Sequence, residues 1–258
     1  MSILLSGDFH IDARGELAFL TKEYLVKQYG WKQFNEISYH IILGDGGFLW
    51  PGQEERETVI LETLAERPFP ILCVFGNHEP VLGRPDLPEI DIGIGEKVIV
   101  VSEKNPQLFF LKRGKIYNIE NRKFLVLGGA LSIDKRFRRP NTSWWENEYW
   151  TEEEEAALFA LLEKDNNFDY VLSHTGPDRI NWKGFAKNGA DSPEKYQDKV
   201  AKLNDEIDSR INCKQWFCGH WHQAYHYYDV KMQRGYQYLY YESALMKDTE
   251  IIAPMDTV

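Results

Sequence analysis

Metal-binding side chains are concentrated in five short motifs of this chain. In chain order these are Asp8-Phe9-His10, Gly44-Asp45, Gly76-Asn77-His78-Glu79, Ser173-His174 and Gly219-His220-Trp221-His222. Five of the seven histidines lie within them. A mixture of carboxylate, imidazole and amide ligands suits Mn, Fe or Zn, whereas Mg and Ca prefer ligand shells made of oxygen. Together the motifs predict a hydrolytic site that holds two divalent metal ions.

Spacing within the motifs indicates how the side chains would grip metal. Asp8 and His10 are two positions apart, and His220 and His222 repeat that spacing. On an extended segment, side chains two apart point the same way, so each pair is expected to hold one ion. The two carboxylate oxygens of Asp45 could bridge two metals, and Asn77 offers an uncharged carbonyl oxygen.

Each motif comes directly after an apolar run that is typical of a buried β-strand. The runs cover residues 3–6, 39–43, 71–75, 170–172 and 215–218. In α/β sheets, ligands bind at the carboxyl ends of the strands. We therefore expect five motifs that are distant in sequence to meet at one edge of the fold.

The spacing of apolar residues predicts helices between these strands. They cover residues 14–28, 53–66 and 152–164, and a fourth begins at Ser192-Pro193. Asp12 is a candidate cap for the first helix, and Thr151 with Glu154 fits a capping box for the third. Strand and helix alternate in the first half of the chain, which predicts an α/β fold whose parallel strands are covered on both faces.

Shorter apolar runs in the middle and at the end of the chain indicate antiparallel pairing. Residues 98–101, 108–111, 116–119 and 124–127 are separated by turn residues and predict an antiparallel meander. Aromatic runs at residues 225–228 and 236–241 predict a hairpin that closes the chain. The sequence has neither an internal repeat nor a linker, so we expect a single domain over residues 1–258.

Composition narrows the classes of partner. The formal net charge of −10 argues against a general nucleic-acid binder, so nucleic acid is expected only as a substrate. No apolar run approaches the roughly 20 residues that a membrane-spanning helix needs, and the first residues lack the features of a signal peptide. Three scattered cysteines, Cys73, Cys213 and Cys218, form no pairing pattern. These features predict a cytoplasmic protein without a membrane partner, and they leave its oligomeric state open.

The order of the motifs, D-x-H, G-D, G-N-H-E, H and G-H-x-H, resembles that of the calcineurin-like metallophosphoesterase superfamily, and it spans residues 8 to 222. Residues 44–52, 128–134 and 143–145 resemble a compact bacterial and phage-type branch of it. The resemblance implies an α/β sandwich in which two central β-sheets are flanked by helices. Many members carry a further acidic residue after the second strand. Here Gly46-Gly47-Phe48 follows Asp45 instead, which weakens any transfer of substrate class from the protein phosphatases.

The resemblance also implies roles for individual residues. The first metal would take Asp8, His10, Asp45 and His222, and the second would take Asp45, Asn77, His174 and His220. Asp45 would then be the bridging catalytic ligand, and a hydroxide bridging the two metals would be the nucleophile. His78 would be the proton donor and, with Asn77, a substrate contact. The two divalent ions are expected to be Mn, with Fe or Zn as possible substitutes.

The predicted reaction is hydrolysis of a phosphate monoester or diester. The substrate stays open among a phosphorylated small molecule, a nucleotide and a phosphoprotein. One alternative is a metal-dependent amidohydrolase on a TIM barrel, but there the H-x-H pair comes early, whereas His220 and His222 come last here. Another alternative is a non-catalytic scaffold that keeps the metallophosphoesterase fold and binds partners.

Residues 132–150, hereafter the 132–150 segment, combine basic and aromatic side chains after a predicted strand. Arg138 is the preferred candidate for a substrate-phosphate clamp. Trp144, Trp145 and Trp150 would either stack on a base or sugar or pin a surface loop to the core, and the second interpretation is favoured. Outside the segment, Glu79 would either support the site around His78 or be a solvated loop carboxylate. His40 and His226 are expected to be structural.

Overall fold

The computed structural model describes residues 1–8, 21–50, 52, 54–80, 84, 86–102, 105–185, 198–240, 242–247 and 250–252. The strands are β1 (Ser2–Ser6), β2 (Ile37–Ile42), β3 (Ile71–Cys73), β4 (Glu89–Ile90), β5 (Val98–Ser102), β6 (Asn105–Phe110), β7 (Lys115–Ile119), β8 (Arg122–Val126), β9 (Tyr170–Leu172), β10 (Gln215–Cys218), β11 (Tyr225–Asp229), β12 (Arg234–Tyr238), β13 (Ser243–Lys247) and β14 (Glu250–Ile252). The helices are α1 (Lys22–Glu36), α2 (Glu54–Ala65), α3 (Glu152–Leu162), α4 (Asp178–Phe185) and α5 (Lys199–Arg210).

The strands form two mixed sheets. Within the described residues, the first sheet has eight strands in the order β14-β13-β1-β2-β3-β6-β5-β4, and the second has six in the order β11-β12-β10-β9-β8-β7. The central pairs β1/β2, β2/β3 and β3/β6 are parallel, as are β8/β9, β9/β10 and β10/β12. Antiparallel strands lie at the edges of both sheets. The predicted α/β sandwich of two central sheets is confirmed, and it excludes the TIM-barrel alternative.

The core lies between the inner faces of the two sheets. Ile3 and Leu5 of β1 belong to the same buried cluster as Phe124 of β8 and Phe217 of β10. Because side chains alternate along a strand, Leu4 points the other way and packs against α1. Both faces of the first strand are thus buried, which explains why it is a continuous apolar run.

Two helices begin later than predicted. Thr21 is extended and caps α1, its side chain accepting a hydrogen bond from the Tyr24 amide, so one helix running continuously from residue 14 to 28 is wrong. Asp198 caps α5 in the same way, which rules out a helix continuous from Ser192. The positions of Asp12 and of residues 192–197 lie outside the described residues. In both cases the helical spacing of apolar residues continues upstream of the capping residue. The capping side chain accepts from the first backbone amides of the helix and so marks its start.

The predicted meander is divided between the two sheets. β5 and β6 form one antiparallel hairpin, and β7 and β8 form another, but β6 pairs in parallel with β3 of the first sheet. The chain crosses between sheets around Gly114, which has a positive φ of 69°. This division lets Phe109 of the first hairpin and Tyr117 of the second share one core cluster. A single four-stranded meander would leave such side chains without a facing sheet.

Two other predictions concern α3 and the end of the chain. The capping box at α3 is confirmed, because Thr151 and Glu154 exchange side-chain and backbone hydrogen bonds. The aromatic hairpin is confirmed as β11 and β12, but it does not close the chain, since β13 returns to pair with β1.

No helix in the described part of the chain is long and apolar enough to cross a bilayer. Cys73, Cys213 and Cys218 are free thiols.

Candidate metal centre

Five strands end at the edge of the sandwich where the polar motifs lie. Asp8, Asp45 and Asn77 follow β1, β2 and β3 of the first sheet, and His174 and His220 follow β9 and β10 of the second. The strands of each group are neighbours and their shared pairings are parallel, so their carboxyl ends lie together. The motifs meet at this edge, as their position after strands predicts.

The centre of the cluster is a buried trio of two carboxylates and one imidazole. Ligand atoms of Asp8, Asp45 and His174 all lie within 4.8 Å of one another. Within the trio, Asp45 Oδ2 lies 3.4 Å from His174 Nε2. Two carboxylates that are removed from water need a positive charge nearby, so this donor set fits a divalent cation.

A backbone hydrogen bond sets the orientation of the His174 ring. His174 Nδ1 donates to the carbonyl oxygen of Leu43 at 2.8 Å, which turns Nε2 towards Asp45. Although burial alone would lower the pKa of His174, the charge and hydrogen bond of Asp45 raise it to about 9. A cation that binds Nε2 would replace the proton held there, as happens when imidazoles ligate metals.

Asn77 joins the two sheets at the site. Its Oδ1 lies 3.0 Å from His174 Nε2 and 3.1 Å from His220 Nδ1. Its Nδ2 points away from them and donates to Ser132 Oγ at 3.0 Å. Burial, followed by the charge of His174, lowers the pKa of His220 to about 3, so its imidazole is neutral and has a lone pair to offer.

The final motif divides its two histidines between opposite sides of the cluster. His220 lies beside Asn77, whereas His222 Nε2 lies 3.4 Å from Asp8 Oδ2 and its ring stacks on Tyr240. The segment that carries His220 and His222 is not extended as expected, because both residues have positive φ, at 71° and 50°. The left-handed turns send His220 and His222 to different neighbours. His10 lies outside the described residues.

Two glycines of the motifs are required by close approach. A Cβ added at Gly76 would lie 1.9 Å from Asp45 Oδ1, and one at Gly44 would lie 2.4 Å from His174 Nδ1. Gly44 also has a φ of 90°, which favours glycine. The glycine before each ligand therefore makes room for a ligand on another loop.

Glu79 is a buried clamp between two ligand-bearing loops. Its Oε1 accepts from the Gly46 amide at 2.8 Å, and its Oε2 accepts from the Gly76 amide at 2.7 Å. Burial and the charge of Asp45 raise its pKa to about 8, against the two amides that favour the carboxylate. The interpretation as a solvated loop carboxylate is wrong, because Glu79 is only 2% exposed.

The loop that carries His174 is held by the helices behind it. Asn204 Nδ2 of α5 donates to the Thr175 carbonyl at 2.8 Å, and Asn181 Nδ2 of α4 donates to the Gly176 carbonyl at 3.1 Å. Both amide side chains are buried. Because these bonds satisfy carbonyls that are removed from water, they restrain the backbone next to His174.

His78 lies at the mouth of the site, beside the trio. Its backbone amide donates to Asp45 Oδ1 at 2.9 Å, and its Nε2 lies 3.8 Å from Asp45 Oδ2. The Trp50 ring stacks on the imidazole with 6.3 Å between centroids. Arg138 Nη2 donates to His78 Nε2 at 3.2 Å, while Arg138 Nε donates to Asp134 Oδ1 at 2.5 Å. The structure thus brings Arg138 of the 132–150 segment against His78.

The tryptophans of the 132–150 segment act mainly as anchors. Trp145 and Trp150 are buried, and Trp150 Nε1 donates to the Gly128 carbonyl at 2.8 Å. The indole of Trp144 lies beneath Lys135 Nζ, at 3.7 Å from the ring centroid. The favoured interpretation, a loop pinned to the core, describes Trp145 and Trp150. Sequence reasoning did not identify Ser132 and Glu148, which lie at the two ends of this segment and bond each other.

The two sheets and the buried carboxylates and imidazole at their shared edge define an α/β sandwich with a candidate site for divalent metal. The sequence profile of the calcineurin-like phosphoesterase family matches residues 1–224. The chain belongs to that family. It is therefore a hydrolase that acts on phosphoester bonds with divalent metal ions, which confirms the predicted family and class of enzyme.

Comparison with solved structures agrees on the fold. A dimetal phosphatase from Danio rerio matches with a TM-score of 0.51 and 11% identity, over 97% of this chain and 94% of that one. GAP50, the anchor in the inner membrane complex of Plasmodium, matches with a TM-score of 0.50 and 10% identity, over 93% of this chain and 71% of that one. No relative among curated proteins was found by sequence similarity. At sequence identities this low, the matches show a shared fold and do not carry the activity of either protein over to this chain.

Proposed function

We propose that the chain hydrolyses phosphate monoesters or diesters at a dinuclear metal centre. One ion would be held by Asp8, His10, Asp45 and His222, and the other by Asp45, Asn77, His174 and His220. The observation that carries the proposal is the buried trio, whose ligand atoms lie within 4.8 Å of one another. When bound, two divalent ions would activate water as the nucleophile and neutralise charge on the phosphoryl oxygens. Mn is the expected metal, with Fe or Zn as alternatives.

Asp45 and His174 are the ligands best placed to hold positive charge. Asp45 lies at the end of β2, between Asp8 on one side and the Asn77 loop on the other, which suits a shared ligand. The Leu43 carbonyl fixes the His174 ring, so Nε2 stays aimed at the centre. This pre-organisation means that little rearrangement is needed when charge develops on the substrate.

His78 is proposed as the proton donor to the leaving oxygen. An imidazole can both hold and release a proton near neutral pH. Stacking on Trp50 and the amide bond to Asp45 limit its movement. Arg138, held by Asp134, is proposed to bind a phosphate oxygen of the substrate by transferring a hydrogen bond that it now makes to His78. Asn77 and His78 would complete the substrate contacts.

Metal removal is the first test. Protein stripped with a chelator is expected to lose hydrolysis of p-nitrophenyl phosphate and bis-p-nitrophenyl phosphate, and added Mn²⁺ is expected to restore it, because the proposed reaction needs the positive charge of the ions. Release of p-nitrophenolate measures both reactions, and their ratio distinguishes monoesters from diesters. Protein that binds Mn²⁺ but hydrolyses neither compound would favour a non-catalytic scaffold.

Replacement of His78 tests the proton donor. His78→Ala is expected to lower kcat about 100-fold or more for an alkyl phosphate ester, because an alkoxide needs a proton to leave. The loss should be smaller for p-nitrophenyl esters, whose leaving group departs without protonation. Steady-state rates on both ester types measure the difference.

Metal content and a matched histidine variant control that experiment. The Mn²⁺ content of His78→Ala, measured by elemental analysis, is expected to equal that of the wild type. His226→Ala removes an exposed imidazole on β11 and should leave both rates unchanged. Metal loss in His78→Ala, or equal losses of rate on both ester types, would argue against a proton donor.

A further inference from the structure

A chain of hydrogen bonds runs from the 132–150 segment to the Asn77 amide. Asn77 Nδ2 donates to Ser132 Oγ at 3.0 Å, and Ser132 Oγ donates to Glu148 Oε2 at 2.5 Å. All three side chains are buried. We infer that Glu148 and Ser132 are positioning residues that set which way the Asn77 amide faces, and thereby how tightly the centre binds metal. This inference rests on the proposed function of Asn77 as a ligand.

The direction of these hydrogen bonds follows from the chemistry of Glu148. A carboxylate can only accept hydrogen bonds, so the hydroxyl proton of Ser132 must go to Glu148. The Ser132 oxygen is then left to accept, and its partner must be the NH₂ group of Asn77. The amide oxygen is consequently turned towards His174 and His220, at 3.0 and 3.1 Å.

The reversed amide would be unfavourable at a metal centre. A flipped Asn77 would aim its NH₂ group at the cation and offer no lone pair to it. It would also set the amide oxygen against Ser132 Oγ, whose proton is already committed to Glu148. A neutral amide has two orientations of the same shape, so something outside it must choose between them. In this protein the choice is made by a residue that never touches the centre.

Glu148 is itself held rigidly from both sides. Arg113 Nη1 donates to the Asn147 carbonyl at 2.9 Å, and Arg113 Nη2 donates to the Tyr149 carbonyl at 2.9 Å. A Cβ at Gly129 would lie 2.1 Å from the Glu148 carbonyl oxygen, so the backbone there is packed directly against the exit of β8. Glu148 must be fixed in this way if its hydrogen bond to Ser132 is to select the orientation of the Asn77 amide. The two ends of the 132–150 segment thus meet over Asn77.

Calorimetric titration of Mn²⁺ into chelator-stripped protein tests the inference without relying on turnover. Ser132→Ala is expected to weaken Mn²⁺ binding about 10- to 100-fold, the usual cost of losing a residue that orients a metal ligand. Glu148→Gln, which keeps the shape but can also donate, is expected to weaken binding in the same direction. Ser143→Ala is the matched control, since that hydroxyl accepts from the Arg139 amide within the same segment.

A second background separates orientation from general damage. Aspartate at position 77 has two equivalent oxygens, so in Asn77→Asp the further change Ser132→Ala should alter Mn²⁺ affinity by less than about threefold. Wild-type Mn²⁺ affinity in both Ser132→Ala and Glu148→Gln would overturn the inference. It would also be overturned if Ser132→Ala weakened Mn²⁺ binding as much in the Asn77→Asp background as in the wild type. If the wild type binds no Mn²⁺, the proposed function itself fails. If it binds Mn²⁺ and hydrolyses esters while the variants match it, only the inference fails.

Discussion

Asp45→Asn is expected to abolish turnover, with kcat for p-nitrophenyl phosphate at least about 1,000-fold lower and Mn²⁺ binding about 100-fold weaker or worse. Asp45 is 1% exposed and lies in the trio with Asp8 and His174. The replacement removes a full negative charge from a place that water does not reach. Attraction for a cation is strongest in such surroundings, so its loss there costs the most.

Asparagine isolates the charge from other effects. Asp45 has a φ of 52°, a left-handed conformation that asparagine adopts readily and alanine does not. The amide oxygen of the new residue can still accept from the His78 backbone amide, as Asp45 Oδ1 does at 2.9 Å. Backbone strain and loss of that bond are thus avoided.

Calorimetry with Mn²⁺ and p-nitrophenolate release measure the two effects. Asp91→Asn, in an exposed turn where the side chain accepts from the Gly93 amide, is the matched control and should behave as the wild type. Hydrolysis by Asp45→Asn at the wild-type rate would remove the basis for a catalytic centre at this edge. Strong Mn²⁺ binding with no turnover would instead restrict Asp45 to a role in the reaction.

Asp208→Ala is expected to destabilise the fold by about 3–5 kcal/mol, the usual cost of breaking a buried ion pair. Asp208 is fully buried on α5 and bonds Arg234 of β12 and Arg179 of α4. Its Oδ2 also accepts from the Tyr236 hydroxyl at 2.8 Å. Without Asp208, the guanidinium of Arg234, which is 2% exposed, would remain in the core without its carboxylate.

The thermal unfolding midpoint, followed by circular dichroism, should fall by about 10 °C in that variant. Asp205→Ala is the matched control, one turn earlier on the same helix. Its carboxylate is 29% exposed, pairs with the Arg179 guanidinium at 3.6 Å and accepts from the Arg179 backbone amide at 3.1 Å, so its removal should cost about 1–2 kcal/mol. Equal midpoints for the two variants would mean that the Asp208 cluster contributes no more than the partly exposed Asp205 pair.

The 132–150 segment is held in place by its tryptophans. Trp145 and Trp150 are buried against the core, which agrees with the favoured interpretation of a loop pinned to the core. What the segment presents to the site is Arg138 at His78 and Ser132 at Asn77. Most of its aromatic surface therefore serves to hold a few polar groups in place.

The sequence alone was sufficient for the family, for the class of reaction and for the location of the motifs after strands. These are local properties. An apolar run followed by glycine and a ligand residue predicts a strand and a loop mouth without reference to the rest of the chain, and the two-sheet sandwich and the family are confirmed. Local patterns extended the first helix and α5 too far upstream, because the side chains of Thr21 and Asp198 decide where each helix begins.

Only the tertiary structure decided which sheet each hairpin joins and which polar groups meet at the edge. The middle hairpins carry the same kind of pattern, and burial against opposite sheets separates them. The partners that orient the site are far apart in sequence: Leu43 and His174 are separated by 131 positions, and Asn77 and Ser132 by 55. Such pairs leave no periodic signal, because their geometry exists only after the two sheets have packed and excluded water. The five motifs can therefore be recognised from residue types. The orientation of the Asn77 amide, in contrast, depends on Glu148, which no motif contains.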